Sequence, residues 1–183
     1  MSGLLKPKSL EQLQQWLQDA PGKRRVTKID LSAISGIRQH TPEDLTATVA
    51  AGTTLGALQK ALKQHGQWLP IDPPFADAMS IGALLAANWS GPRRFGLGTI
   101  RDYVIGMKVI LADGSESNSG GQVVKNVAGF DLPRLLVGSR GSLGIIVEAT
   151  FKLGPIPEAE AVFGAAVDSA EDLATRVLSL IHI

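Results

Sequence analysis

The chain has 183 residues, 44% of them hydrophobic and 19% charged, with a formal net charge of +1 and no cysteine. That length supports one good core or two small subdomains sharing an interface, and that composition excludes disorder as the default. A near-neutral charge leaves no footprint for nucleic acid or an anionic membrane as the main partner, and the lack of cysteine removes disulfides, iron–sulfur ligation and thiol catalysis from this chain.

The first eight residues lack the apolar core and small-residue cleavage site of a signal peptide, and no apolar run is long enough to cross a bilayer. A cytoplasmic chain is the expectation. Ser9 opens a helix with Gln12 in the capping-box position and Leu10, Leu13 and Leu17 on one face. Pro21-Gly22 stops it. Lys23-Arg24-Arg25 reads as a solvated basic turn, with a supply of positive charge as the second reading, and residues 26–31 read as a strand. Residues 45–51 alternate Leu45, Ala47, Val49, Ala51 against Thr46, Thr48, Ala50, the pattern of a half-buried strand ended by Gly52. Thr54 then caps a helix that puts Leu55, Leu58 and Leu62 on one face, with Gly66 closing it. His65 lies at that helix end, where a cation suits the dipole, so it carries no catalytic weight.

Trp68-Leu-Pro-Ile-Asp-Pro-Pro-Phe is stiff and extended, because each proline restricts itself and its predecessor. Ser80-Ile-Gly-Ala-Leu-Leu-Ala-Ala-Asn reads as a capped helix with small residues in its first turn. Such a start offers unpaired N–H groups to a phosphate; packing against a sheet explains the small residues equally. Residues 90–102 read as a loop. Its Arg93 and Arg94 can neutralise a carboxylate, or face solvent or a partner subunit. Residues 103–111 form an apolar run suited to a central strand, and Asp113-Gly114 signals a hairpin turn.

The densest information lies between Gly120 and Phe151. Asp131 is placed to cap a short helix over residues 132–137, with Pro133 in its first turn and Gly138 ending it in a left-handed conformation. Gly138-Ser-Arg-Gly-Ser-Leu-Gly144 follows, a loop with little side-chain bulk, which lets backbone N–H groups approach an anion or simply joins helix to strand. It is not a Rossmann fingerprint, since a helix precedes the glycines and alternation follows them. That alternation sets Val147, Ala149, Phe151 and Leu153 on one face and Ile146, Glu148, Thr150 and Lys152 on the other. Gly154-Pro-Ile-Pro marks a boundary, and the final Leu-Ser-Leu-Ile-His-Ile breaks its pattern, so His182 carries no functional weight. His40, His65 and His182 have no metal-ligand spacing, and no nucleophile elbow occurs.

Lys125-Asn-Val-Ala-Gly-Phe-Asp-Leu, together with Val137-Gly-Ser-Arg-Gly-Ser-Leu-Gly-Ile-Ile, resembles the flavin-domain signature of the vanillyl-alcohol-oxidase/p-cresol-methylhydroxylase (PCMH-type) family. Leu69-Pro-Ile-Asp-Pro-Pro, Ser90-Gly-Pro-Arg-Arg, Ile100-Arg-Asp-Tyr-Val-Ile-Gly and Gly121-Gln-Val-Val-Lys-Asn extend the resemblance, in order, over roughly residues 30–157. Within the family, the segments are most similar to the FAD-binding E-type subunits of bacterial glycolate oxidases. The family's Thr-x-Gly-Gly-x-x-Ala-x-Asn pattern is matched by Ser80, Gly82, Ala86 and Asn88, with Ala83 in place of the second glycine. Only Gly22 lies between the first helix and Asp30, so the glycine-rich loop with which relatives cradle the FAD pyrophosphate is missing.

The resemblance implies an α+β fold of two FAD-binding subdomains, the second mainly antiparallel sheet with helices. The expected division is 1–64, a shortened first subdomain; 65–154, the second; and 155–183, the start of a truncated cap domain or a foreign tail. The implied cofactor is FAD, and the implied cofactor-binding residues are Pro73, Ser80, Ile81, Gly82, Ala83, Asn88, Gly98, Thr99, Asp102, Gly141, Gly144, Ile145 and Ile146. Arg93 and Arg94 are the implied substrate contacts, the catalytic base is unknown, and no metal is expected. The implied activity is that of a FAD-dependent subunit oxidising a small 2-hydroxy acid such as glycolate or lactate, inactive alone. Electrons would pass to glycolate-oxidase-type partners, a flavoprotein and an iron–sulfur subunit, with any inner-membrane contact made through them. The alternative is a non-catalytic scaffold that keeps the fold and binds FAD weakly or not at all. A cell-wall-precursor FAD reductase ranks last, because it lacks the Lys-Asn-x-x-Gly-Phe-Asp run.

Overall fold

The computed structural model describes residues 3–19, 26–120, 132–161, 166 and 168–174. In chain order these give β1 (Gly3–Leu5), α1 (Leu10–Gln18), β2 (Val26–Ile29), β3 (Ile37–Thr41), a 3-10 turn (Pro42–Asp44), β4 (Thr46–Ala50), α2 (Leu55–Lys63) and β5 (Gln67–Trp68). They continue with α3 (Ile81–Ala87), α4 (Arg94–Leu97), α5 (Ile100–Tyr103), β6 (Val104–Ile110), β7 (Glu116–Gly120), α6 (Leu132–Leu136), β8 (Ile145–Lys152) and β9 (Gly154–Pro155). Pro21-Gly22, Lys23-Arg24-Arg25, residues 121–126, the Lys125–Asp131 run with its helix cap, and His182 lie outside the described residues.

The helices start where side-chain oxygens meet orphan donors. Ser9 Oγ accepts the Gln12 N–H at 3.2 Å, and Gln12 Oε1 in return accepts the Lys8 N–H at 2.6 Å. Thr54 Oγ1 accepts the Ala57 N–H at 3.2 Å to start α2. The apolar face of α2 is removed from water, with Leu55, Leu58 and Leu62 at 1%, 0% and 0% exposure. Burial on this scale stabilises by about 2 kcal/mol per side chain.

A sheet in the order β3-β4-β8-β6-β7 organises the chain, and every neighbouring pair in it is antiparallel. α2 and α3 pack on it through one cluster that includes Leu58, Leu62, Ile81, Leu84, Val49, Ala149 and Phe151. A second, smaller cluster joins Leu13 of α1 to Ile110 and Val147. α1 leads from β1 to β2, which pair in parallel, and β5 pairs with β9. The β6–β7 hairpin turns at the expected Asp113-Gly114: Asp113 Oδ1 accepts the Ser115 N–H at 2.8 Å, and Gly114 has φ +81.

The structure corrects the expected patterning in several places. The alternation in β8 breaks at a register shift opposite Lys108 and Val109, so Ile146 joins the cluster of Ala149 and Phe151 while Val147 packs with Leu13 and Ile110. On the outward faces Thr46 and Thr150 are buried, Thr48 and Glu148 half-buried and Lys152 exposed. Leu45 does not join β4; it takes a left-handed conformation at φ 53 and is exposed, closing the 3-10 turn. Residues 90–102 hold α4 and α5, so the strand expected from Tyr103 begins at Val104. β4 is hydrogen-bonded to β8 from Thr46↔Lys152 to Ala50↔Glu148.

Candidate functional site

A cleft of about 280 Å³ opens between the first turn of α3 and the loop that leads from α6 into β8. Ser80, Gly82, Ala83 and Ala86 form one wall; Arg140, Gly141, Gly144, Ile145 and Ile146 form the other. Ala51, Lys28, Ile29 and Leu31 complete the lining. The loop is held at this distance by the far end of α3. Carbonyls at the C-terminus of α3 accept the loop's N–H groups, Gly138 N to Leu85 O at 2.9 Å and Arg140 N to Ala86 O at 3.0 Å. Gly82 lets the near end of α3 approach β4 closely: a Cβ there would sit 3.0 Å from the Ala51 Cβ.

Seven of the residues singled out from sequence therefore converge: Ser80, Gly82, Ala83, Gly141, Gly144, Ile145 and Ile146. The reason offered for the first of them does not hold. The first three backbone N–H groups of α3 are already spent. Ile81 N donates to Thr53 O at 2.8 Å, Gly82 N to Ala51 O at 2.8 Å, and Ala83 N to Ser80 Oγ at 3.3 Å. Tertiary contacts and the Ser80 cap have satisfied the orphan groups that made this helix start attractive to an anion.

The remaining expected contacts lie elsewhere. Ile81 is fully buried in the core. Pro73 is buried in the stiff segment after Leu69, a segment gripped by Gln59, whose Oε1 accepts the Leu69 N–H at 3.0 Å and whose Nε2 donates to Leu69 O at 2.7 Å. Asn88 ends α3 in a left-handed conformation at φ 50. Its Oδ1, like Ser139 Oγ, is buried without a hydrogen-bond partner among the described residues. Gly98 turns at φ +90 into Thr99 and Asp102, which start α5.

Asp102 Oδ2 accepts both the Thr99 N–H and the Thr99 hydroxyl at 2.8 Å, the backbone donor first and the hydroxyl second in holding this carboxyl below its usual range. A depressed carboxylate contributes stability above its unfolded value, roughly pH 4, and that contribution is lost as pH falls through the lower folded value. Asp102→Asn is thus expected to lower the melting temperature at pH 7 and to flatten the decline below pH 4. Melting curves taken from pH 7 to 2.5 check this; parallel profiles for the two proteins would refute it.

Arg93 is fully engaged. Its backbone N–H donates to Asp72 Oδ1 at 3.0 Å, its Nε lies 3.5 Å from Asp72 Oδ2, its Nη2 contacts Glu160, and its guanidinium lies over the Trp68 ring at 5.3 Å. Arg94 is exposed, 5.3 Å from the Phe95 ring, and makes no ion pair among the described residues. His65 meets the His40 ring edge-on at 4.8 Å, while His40 Nε2 lies 2.9 Å from Gln67 Oε1.

Sequence reasoning missed Lys28, Ile29, Leu31, Ala51 and Arg140 as individual contacts in the cleft, and named Ala86 only as part of the family's helix pattern. Arg140 carried a usable signal, a single cation inside a loop otherwise stripped of bulk. Lys28 carried none, because its position depends on β2 pairing with β1.

The chain was compared with known proteins. A family model described as "FAD binding domain" matches residues 15–119. Glycolate oxidase subunit GlcE of Escherichia coli (strain K12) is 40% identical over 132 residues, 72% of this chain and 38% of that protein. Glycolate oxidase subunit GlcD of Bacillus subtilis (strain 168) is 40% identical over 139 residues, 76% of this chain and 30% of that protein. The mitochondrial cytochrome-type D-lactate dehydrogenase of Arabidopsis thaliana is 33% identical over 159 residues, covering 85% and 28%. The chain thus spans well under half the length of these curated relatives. Among solved structures, an alkyldihydroxyacetonephosphate synthase superposes with a TM-score of 0.68 at 23% identity, covering 85% of this chain and 32% of the other, which establishes likeness of fold alone.

Proposed function

This chain belongs to the FAD-binding domain family, whose cofactor is FAD, and on that premise we propose that it forms the FAD-binding part of an oxidoreductase acting on small 2-hydroxy acids of the glycolate or lactate type. The observation that carries the reading is the cleft between α3 and the loop before β8. Its donor set fits an anionic dinucleotide: two cationic side chains, no carboxylate, and walls of glycine, alanine and isoleucine. At about 280 Å³ it is near the small end of ligand cavities, room for part of the cofactor.

In this reading Ser80, Gly82, Ala83, Gly141 and Gly144 bring low-bulk backbone to the cofactor, and Ile145 and Ile146 pack against its adenosine end. Pro73, Ile81, Asn88, Gly98, Thr99 and Asp102 hold the surrounding backbone in place. FAD, when bound, would accept the hydride, and with it the two electrons, removed from the hydroxy acid, while the hydroxyl proton leaves to a base or to solvent. Arg93 is occupied by Asp72 and Glu160, which leaves Arg94 as the arginine of the pair available to a substrate carboxylate. The chain contains no cysteine, so onward transfer through an iron–sulfur centre requires a partner subunit with its own ligands. No helix among the described residues is long and apolar enough to cross a membrane.

Titration of the purified chain with FAD, followed by flavin fluorescence and the visible spectrum, tests the reading. A saturable change at about one equivalent is expected. A chain that is folded by circular dichroism yet leaves the flavin spectrum untouched would overturn it. That second result would favour a scaffold role, a reading supported by the prior commitment of the Ile81, Gly82 and Ala83 N–H groups.

A further inference from the structure

We propose that Lys28 and Arg140 together form the phosphate clamp of this site, so that side-chain charge performs here the task that backbone N–H groups perform in a glycine-rich cradle. The inference rests on the FAD reading above and names the groups that hold the diphosphate.

Three observations carry it. First, the donors that a phosphate would use at α3 are spent on Thr53 O, Ala51 O and Ser80 Oγ, and α3 is a helix of only 7 residues. A dianionic group entering the cleft finds these three backbone donors taken and only the Ser80 hydroxyl left to donate among those named. Second, Lys28 and Arg140 are the charged residues of the cleft lining, both positive, and they come from different segments, β2 and the loop before β8. Neither makes an ion pair among the described residues. Third, Arg140 holds a left-handed backbone at φ 53, directly before Gly141 at φ +79. Glycine or asparagine adopts that conformation more readily than arginine, so the backbone alone gives no reason for an arginine there. Arg140 N is fixed to Ala86 O at 3.0 Å, which anchors the base of the side chain on the cleft wall.

The chemistry selects the ligand class. A guanidinium binds two phosphate oxygens through parallel N–H groups, and an ammonium adds a compact point charge. Two such cations lining one cleft match a diphosphate better than a monophosphate, and an uncharged nucleoside gains nothing from them. Contacts made by exposed side chains are also screened by salt, unlike contacts made by buried backbone donors.

The test is equilibrium binding of FAD, ADP, AMP and adenosine to the full chain at about 50 and 500 mM salt, in wild type, Lys28→Gln and Arg140→Gln. FAD quenching is read directly and the other three by competition. Wild type is expected to rank ADP above AMP above adenosine and to lose FAD affinity several-fold between the two salt levels. Arg140→Gln should weaken FAD and ADP about 10-fold and Lys28→Gln about 5-fold, leave adenosine unchanged, and flatten the salt dependence. Both side chains are exposed, so the melting temperature should stay within a few degrees of wild type. Variants that bind FAD with wild-type affinity and wild-type salt dependence overturn the clamp and leave the FAD reading standing. Wild type that binds neither FAD nor ADP overturns both.

Discussion

Gly52→Ala is expected to destabilise the fold by about 3–5 kcal/mol, the range reached when a core position is overfilled and the surrounding backbone cannot give way. A Cβ on Gly52 would sit 1.9 Å from Leu31 O, 2.6 Å from Ile34 O and 2.7 Å from Leu31 C, all of them main-chain atoms. Gly52 N also donates to Ile34 O at 3.1 Å, so the two segments are tied at the point of collision. Relief requires moving the chain between β2 and β3, which carries Leu31 into the cleft. The melting temperature should fall by on the order of 10 °C for a chain of this size. Gly96→Ala is the matched control, since a Cβ there meets nothing within 4 Å. Melting curves for the three proteins decide the matter: a Gly52→Ala protein that melts with wild type would show that the 31–34 segment yields freely.

The second large effect is on binding. Ala83 lies exposed on the wall of the cleft in the first turn of α3. Ala83→Trp puts an indole into a space of about 280 Å³ and should weaken FAD binding at least about 100-fold, equivalent to about 2.7 kcal/mol. Stability should change little, because the position faces outward and tryptophan costs only about 0.5 kcal/mol in helix propensity. Fluorescence titration beside a thermal melt separates the two effects. Undiminished FAD affinity would place the cofactor somewhere other than this cleft.

Legibility followed the strength of local physics. α1, α2 and α3 were readable from a hydroxyl cap followed by leucines at helical spacing, and the caps at Ser9, Thr54 and Ser80 make the hydrogen bonds expected of them. The Asp113 turn and the left-handed Gly138, at φ +84, were readable for the same reason, since their chemistry acts within a few residues. β1, β3, β5 and β7 were not. Gly-Leu-Leu, Ile-Arg-Gln-His-Thr and Glu-Ser-Asn-Ser-Gly carry no β pattern, and they become strands only because a neighbour offers a ladder. At the site, the low-bulk residues announced a close approach and do line one cleft. The sequence could not say that the Ile81, Gly82 and Ala83 donors would be spent internally. That depends on where Ala51 and Thr53 end up, which is a long-range fact.

The sheet order has a consequence during synthesis. Thr48 and Thr150 join their hydroxyls at 2.9 Å across β4 and β8, yet they stand 102 positions apart in the chain. A ribosome adding about 5–20 residues per second leaves β4 waiting about 5–20 seconds for its partner. Through that interval the nascent polypeptide carries an open strand edge beside the leucines of α2, the kind of surface that invites association until β8 arrives.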